Sequence, residues 1–323
     1  MAVITIREAL KQAMREEMLR DERVFLLGED IAAYGGAYAV TKGLVEEFGE
    51  ERVRDTPISE GIIVGAAMGA AVGGQRPVAE LMTINFAILA MDQLINHAAK
   101  MHYMFGGQWN VPMVVRTAAG WGQLSATHSQ TLEVFFAHVP GLKVIFPGTP
   151  YDSKGLLKAA IRDADPVVFI EHTALYGVKG EVPDGDYVLP IGKSDIKREG
   201  QHCTIATYGR MLQVSLEAAT TLAADGIEVE IVDLRTLRPL DMAPVYESVQ
   251  KTNHAVVVTE EWVSFGVGAE VAARISQDAF DYLDAPVGRV GSLEVPMPYA
   301  KNLEQAALPW PKDVVQAVKA ALA

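Results

Sequence analysis

The chain has few of the features that mark secreted, membrane or zinc-binding proteins. Of its 323 residues only Cys203 is a cysteine, so neither an intrachain disulfide nor a cysteine-based zinc site can form. Charge at Arg7 and Glu8 is unlike the start of a signal peptide. The most apolar span, residues 61–74, is shorter than the roughly 20 residues of a membrane helix. We therefore expect a cytoplasmic protein that does not contact a membrane.

Positive charge is also scarce. There are 28 basic against 41 acidic residues, which gives a formal net charge of −13. A surface of this sign argues against nucleic acid or an anionic membrane as a partner. No Gly-x-x-x-x-Gly-Lys-Ser/Thr loop for nucleotide phosphates is present, and the glycines of residues 65–73 precede a predicted strand instead of following one. These absences exclude several common functional classes.

What the chain does contain is a regular alternation of apolar runs and helical patterns. Five short apolar runs predict strands at residues 24–27, 77–82, 111–116, 143–146 and 166–170. Amphipathic or small-residue stretches between them predict helices at residues 7–19, 60–72, 92–104 and 152–162. Continuous apolar strands separated by helices are typical of a buried parallel sheet. The first part of the chain is therefore expected to form an α/β domain.

A Pro-, Gly- and charge-rich stretch interrupts this alternation at residues 180–200. Beyond it, strands are predicted at residues 204–207, 228–232 and 255–259, with helices at 212–224 and 268–280. This pattern predicts a first domain over residues 1–180, a linker over 181–200 and a smaller α/β domain over 201–323.

Glu60 is the first candidate functional residue. It follows Ser59, a favourable helix cap, at the start of the helix predicted for residues 60–72. Spacing alone favours a simple role, in which the carboxylate complements the helix dipole. The alternative is a carboxyl group held between Ile58, Ile62 and Ile63, whose apolar side chains would penalise the charged form. Such a group can share a proton with a weakly basic ring nitrogen.

Two further candidates lie after predicted strands or helices. His128 ends a glycine-bearing loop that follows the strand at 111–116, where α/β sites form and where a histidine can titrate near neutrality. A bracing role in the loop is the alternative that the residues alone favour. Residues 160–165 combine a helix C-terminus with carboxylates, which suits a hard cation. A solvated acidic helix end is the more common explanation of that pattern.

A set of short segments occurs in a characteristic order along nearly the whole chain. The set comprises residues 26–30 (LLGED), 55–60 (DTPISE), 76–80 (RPVAE), 98–100 (AAK), 103–107 (YMFGG), 128–130 (HSQ), 140–144 (PGLKV), 160–163 (AIRD), 232–239 (VDLRTLRP) and 295–299 (VPMPY). Together they resemble the β subunits of the decarboxylating component of 2-oxo acid dehydrogenase complexes, of pyruvate, branched-chain and acetoin type. The ordered set is specific, although no single segment is decisive.

The resemblance implies a transketolase-like fold and a thiamine diphosphate cofactor. In this family the first domain is a parallel-sheet domain that binds the aminopyrimidine ring, and the smaller C-terminal α/β domain helps to build a subunit interface. By resemblance, Glu60 hydrogen-bonds ring N1′, with Glu29 close to it. Ile58, Met82 and Phe86 align with positions that line the ring pocket.

The resemblance also assigns roles to His128 and to a cation site. His128 matches a histidine implied in acyl transfer to a lipoyl arm. A structural cation, commonly potassium, is implied at five positions, which here are Met113, Ala160, Ile161, Asp163 and Asp165. Two positions depart from the family. Thr127 stands where Gln or Glu is frequent, and Asp165 stands where Asn is frequent, which leaves the identity of the ion open.

A missing motif suggests that the chain holds only half of a site. The family holds magnesium and the diphosphate with a Gly-Asp-Gly followed by Asn, and this chain has only a reversed Asp-Gly-Asp at residues 184–186. The resemblance thus implies an α subunit that holds Mg²⁺, in an assembly of two α and two β chains, and a lipoyl-bearing acyltransferase core as a further partner.

The expected function is oxidative decarboxylation of a 2-oxo acid. The segments at 79–86 and 89–93 favour pyruvate, with acetoin or branched-chain oxo acids as alternatives. A non-catalytic scaffold subunit and a homodimeric transketolase-type enzyme are the competing hypotheses from other classes.

Overall fold

The computed structural model describes residues 1–323, which form two compact units. Unit 1 comprises residues 1–120 and 135–191, and unit 2 comprises residues 121–134 and 192–323. The segment 121–134 was assigned to the first domain by sequence, but it belongs to unit 2. The stretch predicted as a linker contributes residues to both units and contains short strands of its own.

Unit 1 alternates strands and helices along the chain. Its elements are β1 (Ala2–Thr5), α1 (Ile6–Arg20), β2 (Val24–Gly28), α2 (Leu44–Phe48), β3 (Val53–Asp55), α3 (Glu60–Val72), β4 (Arg76–Leu81), α4 (Ala99–Met104), β5 (Val114–Ala119), α5 (Glu133–Ala137), β6 (Lys143–Ile145), α6 (Pro150–Arg162), β7 (Val167–His172) and β8 (Lys179–Val182). Helix α5 begins in the segment 121–134, where the chain returns from unit 2. A π-helical segment, Asp92–Ala98, leads directly into α4, so the helix predicted at 92–104 is present with wider turns in its first half.

The strands of unit 1 pair in the order β6-β7-β5-β4-β2-β3, and every pair is parallel. The central strands β4, β5 and β7 are buried almost throughout, which explains their continuous apolar runs. Helices α1 and α6 cover the sheet with fully buried leucines, including Leu10, Leu156 and Leu157. The ribbon of β1 and β8 is antiparallel and lies outside this sheet.

Small residues explain how α3 packs. A Cβ atom added at Gly61 would lie 3.2 Å from the carbonyl oxygen of Leu89, and one at Gly65 would lie 3.6 Å from Gln93 Cγ. The glycines therefore allow the segment that ends in α4 to approach α3 closely. None of the helices in the structure combines the length and the apolar composition needed to cross a bilayer.

Unit 2 is a second α/β unit. Its further elements are β9 (Asp195–Arg198), β10 (Cys203–Thr207), α7 (Arg210–Ala224), β11 (Val229–Asp233), β12 (Thr236–Arg238), α8 (Ala243–Thr252), β13 (Ala255–Trp262), α9 (Val267–Asp278), β14 (Gly288–Ser292), α10 (Lys301–Ala307) and α11 (Pro311–Ala321). Five strands pair in the order β14-β13-β10-β11-β9, with only β9 antiparallel to its neighbour. Helices α7 and α11 share one apolar core with this sheet.

Candidate active site

Two buried carboxyl groups lie at the carboxyl ends of neighbouring parallel strands in unit 1. Glu29 directly follows β2, and Glu60 is the first residue of α3, which follows β3. Their exposed fractions are only 6% and 4%. The Thr56 amide donates to the Gly28 carbonyl oxygen over 2.9 Å, which holds the turn before α3 against the end of β2. This edge is where ligands bind in open α/β sheets.

The surroundings of Glu29 favour its neutral form. Burial raises the pKa of Glu29, and the negative charges of Glu60, Asp30 and Glu80 raise that pKa further. The Oε1 atom of Glu29 has no hydrogen-bond partner within the chain. Because an unpartnered buried oxygen is costly, it indicates a polar group supplied from outside the chain.

A buried charge network lies on the strands beside this pair. Arg116 on β5 forms ion pairs with Glu80 on β4 and with Glu171 on β7. The Tyr176 hydroxyl donates to Glu171 over 2.7 Å. Burial raises the pKa of Glu80, and the charge of Arg116 opposes that rise. Since Glu80 pairs in register with Gly28, the network fixes the strand end that carries Glu29.

The apolar surroundings expected for Glu60 are only partly present. Ile63 is buried, but Ile58 and Ile62 have exposed fractions of 81% and 70%, so the prediction that all three enclose Glu60 is wrong for this chain. The reason is positional, since Ile58 precedes α3 and Ile62 lies on its outer face. Met82 and Phe86 are half-buried. The site therefore combines buried carboxyl groups with apolar side chains that are partly or largely exposed to solvent.

His128 belongs to the segment of unit 2 that precedes α5. Its side chain is exposed, and its Nδ1 atom lies 3.0 Å from the hydroxyl oxygen of Thr127. Gln123 and Ser125 adopt backbone φ values of 58° and 70°, which are rare for residues other than glycine. These conformations give the loop a tight, specific shape. Thr127, a departure from the family pattern, thus contacts the imidazole.

The oxygens predicted to hold a cation already have partners in the chain. Arg76 Nη1 donates to the carbonyl oxygens of Ile161 and Asp163 over 2.8 and 2.9 Å. Lys143 Nζ lies 2.7 Å from the Asp163 carboxylate and 3.0 Å from that of Asp165.

The two remaining candidates are bonded as well. The carbonyl oxygens of Met113 and Ala160 accept backbone amides of the chain. The side chains of Arg76 and Lys143 therefore occupy the positions next to these oxygens that a metal ion would take. In this arrangement the five predicted residues do not fit a tight cation site. The cation site stays a prediction that needs its own test.

Comparison with known proteins decides the family. Residues 2–179 match the pyrimidine-binding domain of transketolase, and residues 192–314 match the transketolase C-terminal domain. The pyruvate dehydrogenase E1 component subunit beta of Rhizobium meliloti (strain 1021) is 52% identical over 322 residues, covering 99% of this chain and 70% of that protein. The human mitochondrial counterpart is 48% identical over 325 residues, covering 99% of this chain and 90% of that protein. The chain belongs to the pyruvate dehydrogenase E1 β-subunit family.

A solved structure supports the fold of this E1 β-family chain. The structure, titled "Split gene transketolase, inactive beta4 tetramer", superposes with a TM-score of 0.81 at 26% sequence identity. The match covers 99% of this chain and 98% of the other. The predicted transketolase-like α/β fold and the predicted family resemblance are both confirmed.

Sequence reasoning missed a second set of buried polar residues in this E1 β-family chain. Glu133, Tyr208, Arg210, Glu260 and Glu261 are all buried in unit 2. They come from distant positions, so no spacing pattern connects them. The one available signal was the pair Glu260-Glu261 at the end of the apolar run of β13, where charged residues are rarely buried without a partner.

Proposed function

We propose that this chain is the β subunit of a pyruvate dehydrogenase E1 component. It would act with an α subunit to decarboxylate pyruvate and to transfer the acetyl group to a lipoyl domain. The observation that carries the proposal is the buried pair of Glu29 and Glu60 at the strand ends of a pyrimidine-binding domain. The named relatives, all pyruvate dehydrogenase E1 β subunits, favour pyruvate over acetoin and branched-chain oxo acids.

The residues present fit the aminopyrimidine ring of thiamine diphosphate. Glu60 would accept the hydrogen bond from protonated ring N1′ and hold the proton there. Glu29, with its raised pKa and unpartnered Oε1, would offer a second carboxyl group to the ring. Ile58, Met82 and Phe86 would contact the faces of the ring. When bound, the cofactor supplies a nucleophilic carbon and an electron sink for decarboxylation.

The proposal requires a second kind of chain. This sequence lacks the Gly-Asp-Gly and Asn motif for magnesium and diphosphate, so an α subunit would hold Mg²⁺ and that end of the cofactor. Ile58, Ile62 and Leu89 are exposed beside the site and form an apolar surface suited to burial against that subunit. The proposed assembly contains two α and two β chains.

His128 is proposed to act in acyl transfer to the lipoyl group. Its exposed position suits access by a macromolecular substrate, the lipoyl domain of an acyltransferase core. The Thr127 hydroxyl, 3.0 Å from Nδ1, would help to orient the ring. In this role the imidazole would exchange a proton with a lipoyl sulfur atom.

Co-expression with the candidate α subunit tests the proposal. The purified complex is assayed with pyruvate, branched-chain oxo acids and acetoin, with a lipoyl domain as the acceptor. The expected result is turnover with pyruvate, none with the chain alone, and a mass that fits two α and two β chains. Turnover with acetoin alone would contradict the substrate. Full activity of the chain without any partner would instead support the homodimeric transketolase-type alternative.

A further inference from the structure

The loop that carries His128 is attached to unit 2 on both sides of the histidine. The Trp121 ring, at the start of the loop, lies under the Arg210 guanidinium, whose carbon is 5.0 Å from the ring centroid. Beyond the histidine, the Thr131 hydroxyl donates to Glu260 Oε1 over 3.3 Å. Arg210 Nη1 and Glu260 Oε2 are themselves paired at 2.7 Å. The Arg210–Glu260 ion pair thus contacts both ends of the loop, through Trp121 at one end and Thr131 at the other.

Arg210 is itself fixed in a narrow site. Trp310 also lies against the guanidinium, with its ring centroid 4.7 Å from the guanidinium carbon. The two tryptophan rings meet edge to face at 5.7 Å and 73°. Arg210 and Glu260 each have an exposed fraction of 6%, so the ion pair is largely shielded from water. Stacking and a directional ion pair together restrict the guanidinium to one orientation.

A third contact holds the loop near its start. The backbone N–H of Gln123 donates to Glu304 Oε2 over 2.7 Å, and Glu304 is buried on α10. Only residues 124–130, which include His128, lie between the attachments at 123 and 131. A short loop with both ends held has few conformations, so its attachments decide where the histidine lies.

We propose that the Arg210–Glu260 pair is a positioning device for His128 in acyl transfer. The proposal rests on the proposed role of His128. Buried ion pairs add little net stability but impose one geometry, which is what a transferring side chain requires. Both residues belong to unit 2, whereas Glu29 and Glu60 belong to unit 1, so the proposal concerns only the second half of the reaction.

The test separates the two half-reactions in the assembled α–β enzyme. Arg210→Gln is measured for decarboxylation with ferricyanide as the electron acceptor, and for reductive acylation of a free lipoyl domain. We expect kcat for acylation to fall by about 10- to 100-fold with an unchanged KM for the lipoyl domain, since a misplacement of roughly 1 Å costs about that much. Ferricyanide-dependent decarboxylation should stay within about twofold of the unmodified enzyme.

Matched variants make the result decisive. Arg274→Gln removes an exposed ion pair with Glu270 in the same unit and should change neither half-reaction. Thr131→Val removes one hydroxyl and leaves Arg210 in place, so it tests the proposal even where Arg210→Gln fails to fold. Thr131→Val should also lower kcat for acylation, by a smaller factor than Arg210→Gln. Added guanidine at millimolar concentration should partly restore acylation in Arg210→Gln.

Two outcomes distinguish failure of this inference from failure of the proposed function. His128→Asn should lose acylation and keep ferricyanide-dependent decarboxylation. If it keeps acylation, the role of His128 is wrong. If His128→Asn loses acylation while Arg210→Gln and Thr131→Val both keep it, the positioning role of the pair is wrong and that of His128 stands.

Discussion

The hydroxyl group of Tyr208 donates a 2.7 Å hydrogen bond to Glu133, a carboxyl group that is fully buried in unit 2. Burial raises the pKa of Glu133 well above its usual range, and the charge of Glu261 raises it further. Burial raises the pKa of Glu261 as well, and the hydrogen bond that Glu261 accepts from the Gly268 amide over 2.7 Å, at the start of α9, opposes that rise. The Oε2 atoms of Glu133 and Glu261 have no hydrogen-bond partner. The buried pair therefore disfavours two negative charges, and we expect Glu133, whose pKa is raised further, to be the carboxyl group that keeps its proton.

This arrangement makes stability depend on pH. Because the folded-state pKa of Glu133 is raised, the folded state binds a proton that the unfolded state releases above the ordinary value of 4.5. Its contribution is fully present below that pH and is lost as pH rises toward the folded-state pKa. Glu133→Gln imitates the neutral form, so we expect the difference in unfolding midpoint, variant minus unmodified, to be larger at pH 8 than at pH 5. Urea unfolding at both pH values measures it, and a difference independent of pH would contradict the assignment.

Arg116 should be essential for the stability of unit 1. Its replacement leaves Glu80 and Glu171 buried without their counter-charge. We expect Arg116→Met to lower the free energy of unfolding by about 3–5 kcal/mol, the range for breaking a buried ion pair. Chemical denaturation measures this change. Arg15→Met, which breaks an exposed pair with Glu47, is the control and should have little effect. Equal losses in the two variants would rule out a special role for the buried network.

The predicted cation site can be examined without mutation. Arg76 already donates to the carbonyl oxygens of Ile161 and Asp163, and Lys143 neutralises the adjacent carboxylates. We therefore expect the same thermal midpoint in potassium chloride and in choline chloride at equal ionic strength. A midpoint that rises with potassium alone would show that an ion binds and that Arg76 moves aside. Such a rise would restore the cation site implied by the family.

The exposed apolar surface beside Glu60 should be needed for assembly. Ile62→Asp places a charge on this surface, where burial against the α subunit would desolvate it. We expect the variant to fold but to lose the α subunit during size-exclusion chromatography with mass detection. Leu19→Asp on α1 is a matched control, because Leu19 is also exposed and apolar but lies away from the site. Normal assembly of Ile62→Asp would mean that another surface binds the α subunit.

Local patterns were sufficient for much of unit 1. The small-residue helix predicted at residues 60–72 is observed with those bounds as α3. Gly73 marks its end as expected, whereas Ser59 occupies the cap position without a side-chain capping hydrogen bond. Strands β2, β4 and β7 agree with their apolar runs to within two residues at each end. The importance of Glu60 required the family resemblance, since a dipole-complementing glutamate has the same local sequence.

Other features could not be predicted because they depend on long-range contacts. Nothing local to residues 121–134 shows that they pack with Arg210 and Glu260, which are distant in sequence. The exposure of Ile58 and Ile62 could not be predicted either. Apolar residues that flank a glutamate indicate a buried site, but the sequence does not show whether this chain or a partner covers them. Helix α11 was not predicted at all, although Trp310, Pro311 and Asp313 mark its start.

The central claim is that buried Glu60 holds a proton on the cofactor ring, and Glu60→Gln tests it most directly. The variant is purified with the α subunit and assayed for pyruvate decarboxylation, with Glu46→Gln in the first turn of α2 as an exposed control. We expect a normal two-α, two-β mass, unchanged activity of the control, and loss of decarboxylation in Glu60→Gln by about 100-fold or more. Full decarboxylation by an assembled Glu60→Gln enzyme would contradict it.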